Sequence, residues 1–407
     1  MSDRSQSRTG PGPLNGYRIV DLSRVLSGPA ATMLLADQGA DVIKIEPLEG
    51  DITRHMGVGK DGMTSAFLNI NRGKRALALD LKNAEGLAIV RRLIRTADVV
   101  VQNFRPGAAD RLGLGEEAVR AIKPDIIYVS ISGFGKTGPY VHKRVYDPVI
   151  QALSGITDIQ ADNDTGRPRM IRTVIPDKTT ALTAAQAMTA ALLARERTGQ
   201  GTHVELAMLD AMIAYIWPEG MMNLTFVDDE RKAGVGQVAQ DLVFRTRDGY
   251  LTAGAMSDDE WRGMCTAISR PEWIDDPRFN SPQARFLNAG ERIAATGEVF
   301  ETDTTSVWLE RLDANGVPCA PVLTRPEVLS NEQVIANELI HTYEHPGIGP
   351  VRQPRPAARF SGMEMNHQPR APRLGAHNQE ILQELGYDNN AIESLKKDGV
   401  VSDRGGA

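Results

Sequence analysis

The stretch YRIVDLSRVLSGPAATMLLADQGADVIKIE, residues 17–46, decides the fold because it holds one complete strand–helix–strand pattern. YRIVDLS (17–23) and DVIKIE (41–46) are short runs rich in β-branched residues, which predict buried strands. Between them, Gly28-Pro29 predicts the start of a helix that ends at Gly39. The stretch therefore predicts two parallel strands joined by a helical crossover.

The same alternation continues along the chain. Further strands are predicted at 75–81, 98–104, 125–132 and 202–209, and helices at 83–96 (with Asn83 as N-cap), 116–122 and 177–198. Short β-branched runs separated by helices are typical of α/β proteins, in which helices cover both faces of a parallel sheet. We therefore expect an α/β fold with a Rossmann-like large domain.

The character of the sequence changes after about residue 227. Residues 243–255 predict a hairpin with Asp248-Gly249 at its turn, and helical patterns follow it. These features predict four parts: a disordered tail (1–15), a large Rossmann-like domain (16–227 plus 345–407), a small α+β domain (228–325) and an extended linker (326–344).

The composition excludes several classes of function. The chain has 407 residues and a formal net charge of −6, which argues against a nucleic-acid partner. Its two cysteines cannot form a disulfide framework, which predicts a reducing, cytoplasmic location. The longest apolar stretch, around 179–194, is too short and too polar to cross a bilayer, so no membrane partner is expected.

The loop SISGFGKTGP, residues 130–139, contains two nucleotide-binding patterns that fail on inspection. Gly133, Gly135 and Gly138 spell G-x-G-x-x-G, but the loop follows the fifth predicted strand and Pro139 interrupts any helix. Ser130 stands where a P-loop requires glycine. Two interpretations remain: a structural turn, or a ligand-contacting loop at the carboxyl end of a strand.

Five ordered blocks resemble the class III CoA-transferases, which share their fold with the α-methylacyl-CoA racemases. The blocks are LNGYRIVDLSRVLSGPAATMLLADQGADVIKIEPLEGDITR, NINRGKRALALDLKNAEG, ADVVVQNFRPGAADRLGL, SGFGKTGPY with VYDPVIQALSG, and LLARERTGQGTHVELAMLDA with APRLGAHNQEILQELGY. The resemblance implies an interlocked homodimer that transfers CoA from an acyl-CoA thioester to a free carboxylic acid. It implies no metal, nicotinamide or flavin.

Asp177, in VIPDKTTALTAA, allows two interpretations. From the residues alone it is an N-cap of the long apolar helix, because aspartate accepts a backbone N–H of the first turn. The resemblance implies instead that Asp177 is the nucleophile, which forms an aspartyl-CoA thioester. A carboxylate at a helix N-terminus is kept ionised, so this position suits nucleophilic attack.

The resemblance also implies that the large Rossmann-like domain binds CoA, and it indicates which residues contact CoA. These are Val25, Leu79, Lys82, Asn103, Phe104, Arg105, Arg111, Arg144 and Tyr146. Arginine and lysine suit the phosphates of CoA, arginine through bidentate contacts. The loop of Gly133, Gly135 and Gly138 is expected near CoA, where glycine allows close backbone approach to the developing oxyanion.

One departure from the family pattern and one difference from the racemases affect the prediction. The run of glycines that closes the site in some members is reduced to Gly234 and Gly236, which leaves the identity of the acceptor acid open. Tyr146 stands where racemases of this fold carry a histidine base, and His142, nearby, is expected to be an exposed loop residue. Transferase is therefore favoured over racemase.

Overall fold

A computed structural model describes residues 12–162, 165–227, 240–363 and 370–402. The chain divides into two compact units. The first takes the residues up to Pro218 and those from Leu339 on, and the second is Glu219–Glu338. The candidate site described below lies within the first unit.

The strands, in chain order, share short lengths of two to six residues. They are β1 (Arg18–Asp21), β2 (Asp41–Glu46), β3 (Gly59–Lys60), β4 (Met63–Thr64), β5 (Arg75–Ala78), β6 (Val99–Gln102), β7 (Ile127–Ser132), β8 (His203–Ala207), β9 (Val243–Arg245), β10 (Tyr250–Ala253), β11 (Cys319–Pro321), β12 (Ile340–His345) and β13 (Gly349–Pro354).

The helices range from single turns to the long α8. They are α1 (Ser27–Asp37), α2 (Ser65–Asn71), α3 (Ala84–Thr96), α4 (Ala108–Arg111), α5 (Glu116–Ile122), α6 (Asp147–Ser154), α7 (Ile156–Ile159), α8 (Ile175–Thr198), α9 (Met208–Gly220), α10 (Asp258–Ala267), α11 (Pro282–Leu287), α12 (Ala289–Phe300), α13 (Thr305–Ala314), α14 (Glu332–Ala336), α15 (Asn378–Glu384) and α16 (Asn389–Lys397).

The first unit is built on a six-stranded parallel sheet with the order β5-β2-β1-β6-β7-β8. Counted along the chain, these strands lie in the order 3-2-1-4-5-6, which is that of the Rossmann fold. The strand order reverses between β1 and β6, and ligands of such sheets bind at the carboxyl ends of the strands beside that point. The predicted α/β fold is confirmed.

Apolar side chains alternate between the two faces of this sheet, so each face carries its own core. Ile19 faces the core formed with α1 and α8, whereas Val20 faces the core formed with α3, α5, α15 and α16. The predicted N-cap of α3 is confirmed, since the Asn83 side chain accepts a hydrogen bond from the Glu85 amide at 2.9 Å.

The edge strand β5 is covered by the C-terminal segment. The Ala76 amide donates to His377 Nδ1 and the His377 amide donates to the Ala76 carbonyl, both at 3.1 Å. The Ala78 amide donates to Asn378 Oδ1 at 2.9 Å, and Arg75 pairs with Glu384 at 2.6 Å. Side chains of the last segment thus satisfy the backbone donors that an edge strand would otherwise expose.

The second unit has its own core and contains the predicted hairpin. β9 and β10 pair antiparallel, with β11 as a third strand, and Trp261, Phe300 and Trp308 are buried beneath them. The sequence pattern placed the boundary of this region at residue 227, whereas the chain leaves the first unit at Pro218, inside α9.

Two expectations about the connecting segments need correction. The stretch 326–344 is not a plain extended linker: it includes α14 and most of β12, whose partner β13 turns back along it. Residues 1–11 of the expected tail lie outside the described residues, but Leu14 is buried and its amide donates to the Gln38 carbonyl at 2.9 Å. Leu14 therefore does not belong to a disordered tail, contrary to the expectation for residues 1–15.

Two findings bear on the remaining expectations. In the described part of the chain, no helix is long and apolar enough to cross a membrane. Gly234 and Gly236, the remnant of the family's glycine run, lie outside the described residues.

Candidate active site

A cavity of about 480 Å³ lies where the strand order of the sheet reverses. Its walls come from the loops after β1, β6 and β7 and from the first turns of α1, α8 and α9. They include Val25, Ser27, Asn103, Phe104, Arg105, Arg111, Gly133, His142, Lys143, Arg144, Tyr146, Asp177 and Met208. The cavity combines one carboxylate, Asp177, with four arginine and lysine side chains: Arg105, Arg111, Lys143 and Arg144.

Asp177 is the third residue of α8, so its predicted role as N-cap is wrong. Val174 occupies the N-cap position and makes no side-chain cap, because its hydrocarbon side chain has no hydrogen-bond acceptor. The Asp177 amide instead donates to Asp147 Oδ2 at 3.3 Å. The Asp177 carboxylate is therefore not engaged in capping and faces the cavity.

Two helix N-termini meet at the Asp177 carboxylate. Ser27 is the first residue of α1, and its hydroxyl and backbone N–H both face that carboxylate and favour its charged form. Burial has the larger, opposite effect, and the like charge of Asp147 adds to it, so that the pKa of Asp177 rises to about 6. Asp177 is therefore mostly ionised at neutral pH, yet poorly solvated.

A buried polar pair on α6 fixes the chain that leads to Asp177. Asp147 accepts a hydrogen bond from Gln151 Nε2 at 2.7 Å, and both side chains are almost fully buried. The Gln151 amide group also accepts from the Ile171 N–H at 3.0 Å and donates to the carbonyls of Ile171 and Thr173 at 3.2 Å. The pair thus holds residues 171–173 and the Asp177 amide at once.

The loop after β1 has an unusual backbone. Val25 has φ +68°, a left-handed conformation that a β-branched residue adopts only under constraint, at a cost of about 1–3 kcal/mol. Asn103 holds the preceding residue, since its Oδ1 accepts from the Arg24 amide at 2.8 Å and its Nδ2 donates to the Arg24 carbonyl at 2.7 Å. The two loops on either side of the strand-order reversal are therefore joined directly.

Seven of the nine residues expected to contact CoA line the cavity with Asp177. They are Val25, Asn103, Phe104, Arg105, Arg111, Arg144 and Tyr146. In the described part of the chain, Arg105, Arg111 and Arg144 are exposed and form no ion pair with an acidic residue, so their charge is available to a phosphate.

Leu79 and Lys82 do not line this cavity. Both follow β5, two strands away from β1 at the edge of the sheet. Leu79 is fully buried and pairs with Val401, whereas Lys82 is exposed. The structure therefore does not bring these two residues to Asp177, although they lie at the same carboxyl edge of the sheet.

The three glycines of the 130–139 loop separate in the structure. Gly133 lines the Asp177 cavity, and an added Cβ there would lie 2.5 Å from a methyl carbon of Val145. Gly135 lines the neighbouring cavity, and its amide already donates to Ser132 Oγ at 2.9 Å. Gly138 is exposed and lines neither cavity. Of the three glycines, only Gly133 borders the candidate site.

The neighbouring cavity, of about 830 Å³, shares the wall of Phe104, Arg105 and Phe134. Ser130 Oγ lies 2.7 Å from His203 Nε2, and His203 Nδ1 lies 3.3 Å from Glu205. His203, Glu205, Ser27, Asp147 and Met208 were not among the residues predicted from the sequence, and Ser130 was noted only for its position in the glycine motif. The alternation of His203 and Glu205 along β8 was a signal for a polar sheet face, but nothing local marked Ser27 or Asp147.

His142 and Tyr146, the residues that bear on racemase chemistry, both line the Asp177 cavity. Tyr146 is 70% exposed and precedes α6 in the N-cap position without capping it. His142 is exposed. Across the described residues, no group of three His, Cys, Asp or Glu side chains is placed to hold a metal ion.

Residues 14–378 match CoA-transferase family III. The chain is 37% identical over 394 residues to the succinyl-CoA:glutarate CoA-transferase of Mus musculus, covering 96% of this chain and 90% of that protein. It is 33% identical over 421 residues to the formyl-CoA:oxalate CoA-transferase of Streptomyces coelicolor, covering 95% of this chain and 99% of that protein.

Solved structures agree with this match. The crystal structure of a CAIB/BAIF family protein from Brucella suis has a TM-score of 0.78 at 33% identity, covering 92% of this chain and 100% of that chain. Rv3272 from M. tuberculosis has a TM-score of 0.79 at 30% identity, covering 91% of this chain and 98% of that chain. The protein described here therefore belongs to CoA-transferase family III and is a CoA-transferase that uses acyl-CoA.

Proposed function

We propose that this enzyme transfers CoA between an acyl-CoA and a free carboxylic acid through a covalent intermediate on Asp177. The observation that carries the proposal is the composition of the cavity: among the described residues that line it, Asp177 is the only carboxylate. A carboxylate that lies opposite several cations, in a cavity at the strand-order reversal, is suited to attack a thioester whose phosphates those cations bind.

The reaction proceeds by acyl exchange without oxidation or reduction. A carboxylate oxygen of Asp177 attacks the thioester carbonyl carbon, the C–S bond breaks, and a mixed anhydride and CoA thiolate form. The thiolate attacks the carbonyl carbon of Asp177, which releases the first acid and leaves an aspartyl-CoA thioester. The acceptor carboxylate then attacks the carbonyl carbon of this thioester, which releases the CoA thiolate and forms a second mixed anhydride between Asp177 and the acceptor. The thiolate attacks the acceptor's carbonyl carbon in this anhydride, which gives the new acyl-CoA and free Asp177.

The surroundings of Asp177 support each role in this scheme. Partial burial raises its pKa to about 6, so the charged form is weakly solvated and reactive near neutral pH. Ser27 presents two donors to the same carboxylate, which keeps it ionised and oriented for attack. Arg105, Arg111 and Arg144 are the proposed contacts for the phosphates of CoA, with Val25, Asn103, Phe104 and Tyr146 along its length.

For the acid pair, we propose short dicarboxylates. The succinyl-CoA:glutarate CoA-transferases of Mus musculus and Homo sapiens are 37% and 36% identical to this chain over 394 residues. A panel of free dicarboxylic acids of increasing length, offered with succinyl-CoA and analysed by mass spectrometry of the thioesters, tests this assignment. Transfer to monocarboxylic acids alone would contradict it.

The racemase alternative gains no support from the site. Tyr146 occupies the position expected of a histidine base, and its phenol lacks the imidazole nitrogen that would accept the α-proton. We expect no uptake of deuterium at the α-carbon of a 2-methylacyl-CoA in deuterated water. Uptake at a rate comparable to CoA transfer would overturn the choice of transferase.

We further propose that the enzyme is a cytoplasmic, interlocked homodimer. Apolar side chains are exposed on the two helices beside the sheet, Leu182 and Leu193 on α8 and Tyr215 and Trp217 on α9. A partner chain that covered them would bury this apolar surface. A mass in solution twice that of the 44.3 kDa chain is expected, and a monomer at working concentration would contradict the proposal.

The decisive experiment replaces Asp177 by asparagine, which has nearly the same shape but is a far poorer nucleophile. We expect transfer to fall by roughly three orders of magnitude or more. Asp210→Asn is the matched control, because Asp210 occupies the same third position in α9 but does not line the Asp177 cavity. That control is expected to retain transfer.

A trapping experiment identifies the intermediate directly. Wild-type enzyme is incubated with an acyl-CoA and then treated with hydroxylamine or borohydride, and the peptides are analysed by mass spectrometry. The modified peptide is expected to contain Asp177, and the Asp177→Asn variant is expected to give none. A label on another carboxylate, or transfer by the variant at near wild-type rate, would rule out the mechanism.

A further inference from the structure

The loop at residues 23–25 is held by side chains from three other places in the chain. The amides of its three residues donate in turn to Asp21 Oδ1 at 2.9 Å, to Asn103 Oδ1 at 2.8 Å and to Asp51 at 3.3 Å. Backbone hydrogen bonds of the sheet end at the preceding residue, whose amide donates to Val101. The shape of the loop therefore depends on these side chains rather than on secondary structure.

A buried ion pair grips both ends of this loop. Lys44 and Asp51 are at most 1% exposed, and Lys44 Nζ lies 3.1 Å from Asp51 Oδ2. Lys44 also donates to the Ser23 carbonyl at 3.0 Å, while Asp51 accepts from the Val25 amide. Thr53 fixes Asp51 in turn, through its amide at 3.0 Å and its hydroxyl at 2.9 Å.

The loop needs such a grip because Val25 has the left-handed φ of +68°. A valine released from its partners would return to an extended conformation, since its branched Cβ disfavours positive φ. Val25 is followed within two residues by Ser27, and both line the cavity with Asp177. A rotation at Val25 would therefore move the two Ser27 donors away from the Asp177 carboxylate.

We propose that the Lys44–Asp51 pair is a positioning device for the transfer reaction. It keeps Val25 in its left-handed conformation and so holds the Ser27 hydroxyl and N–H against Asp177. Lys44 and Asp51 do not line the cavity, so they act only through the loop. The inference rests on the proposed role of Asp177 and adds to it the residues that set the geometry of the nucleophile.

The first test is Asp51→Asn. Asp51 accepts donors on both oxygens, so the amide must turn one NH₂ group toward a donor and the grip on Val25 weakens. We expect kcat to fall about 10- to 100-fold, because displacements near 1 Å at reacting groups have effects of that order. KM for acyl-CoA is expected to change less than kcat, because the phosphate-binding side chains stay in place.

The matched control is Asp37→Asn. Asp37 is as buried as Asp51 and pairs with Arg72 through both oxygens, at 2.9 and 2.6 Å, but it lies at the far end of α1. Both variants break a buried ion pair and lower the melting temperature. Only Asp51→Asn is expected to lower kcat. An equal loss of kcat in both variants would reduce the Lys44–Asp51 pair to a structural role and overturn the proposal.

A rescue experiment isolates the backbone conformation. Glycine adopts positive φ without a steric penalty, so Val25→Gly removes the demand that Asp51 meets. We expect Asp51→Asn to cost less than about threefold in kcat in the Val25→Gly background, against 10- to 100-fold in wild type, as a coupling between contacting residues. Equal losses in the two backgrounds would overturn the proposal.

Two further outcomes are distinguishable. If Asp51→Asn does not fold, the double variant Lys44→Met/Asp51→Asn replaces it, because it removes both charges and leaves no unpaired buried ion. Its loss of kcat is then compared between the wild-type and Val25→Gly backgrounds. If Asp177→Asn is inactive while Asp51→Asn transfers CoA at the wild-type kcat, the positioning role fails and the proposed nucleophile stands. If Asp177→Asn is active, both fail.

Discussion

Two loops border the Asp177 cavity, and they obtain unusual backbone conformations in opposite ways. The loop after β7 relies on glycine: Gly135 and Gly138 have φ of +84° and +89°. The loop after β1 places a valine at φ +68° and holds it with side chains that are distant in sequence. The glycine loop contributes Gly133 to the cavity, whereas the clamped loop brings Val25 and Ser27 to it.

The two loops differ in how firmly they hold the groups that line the cavity. Glycine permits a conformation but does not enforce it, because it also adopts many others. A network of buried hydrogen bonds enforces one conformation and resists displacement. We therefore expect substitutions in the clamped loop to affect the chemical step, and substitutions in the glycine loop to affect binding or stability.

The largest effect is expected from Gly28→Ala, in the first turn of α1, where Gly28 packs on the clamped loop. Gly28 packs so closely on Ser23 that an added Cβ would overlap the Ser23 Cβ and Oγ. Although alanine normally favours a helix, this overlap is expected to lower the free energy of unfolding by about 1–3 kcal/mol. We expect kcat to fall about 100-fold as the loop moves. Thermal unfolding and steady-state kinetics measure the two effects, and a wild-type kcat would show that the loop tolerates displacement.

The next effect concerns the charge that lies between the two loops. Because the pKa of Asp177 is raised to about 6, kcat/KM is expected to fall about tenfold per pH unit below pH 6. The sign for stability is opposite to that of a normally paired aspartate. Ionisation costs more in the folded protein, so Asp177 lowers stability as pH rises from about 4 to about 6.

The same titration gives a control for this prediction. Asp177→Asn is expected to melt at a higher temperature than wild type at pH 8, and at a similar temperature near pH 3, where both side chains are neutral. An acid limb of kcat/KM near pH 4 would indicate that Asp177 is solvated like an ordinary carboxylate.

A smaller effect is expected from Gly133→Ala in the glycine loop. An added Cβ would press on Val145, which is followed by Tyr146 and preceded by Arg144, both in the cavity wall. We expect KM for acyl-CoA to rise about three- to tenfold while kcat changes little, because these side chains bind acyl-CoA equally in the ground state and the transition state. A fall in kcat with constant KM would contradict the proposal that the glycine loop affects binding and the clamped loop affects the chemical step.

The smallest effect is expected from Gly138→Ala. No atom lies within 4 Å of an added Cβ, and the cost comes only from the φ of +89°. We expect a loss of about 1–2 kcal/mol in the free energy of unfolding and an unchanged rate of transfer. A loss of transfer would contradict this expectation and show that Gly138 also acts at the site.

The sequence predicted the fold well because the relevant signals are local. The bounds of β2 and α5 match their apolar patterns residue for residue, and the Asn83 cap is where its residue type indicated. The glycine motif that includes Gly135 and Gly138 is also a local signal, but such a motif does not predict which cavity its residues line.

The site was less predictable because its contacts join distant residues. The proposed role of Asp177 as nucleophile came only from the family resemblance, and its local interpretation as an N-cap was wrong. Asp147 meets the Asp177 amide across 30 residues, and Asn103 meets Arg24 across 79. No periodicity or turn signal reports such pairs.

The covered edge of β5 has a consequence for how the protein is made. The strand ends at Ala78, but its partners His377 and Asn378 are synthesised about 300 residues later, after the whole second unit. At translation rates of about 5–20 residues per second, the nascent sheet keeps an open edge for roughly 15–60 s. Residues up to Asn378 must leave the ribosome before this edge of the sheet is covered, so we expect chaperones to act on this protein during synthesis rather than after it.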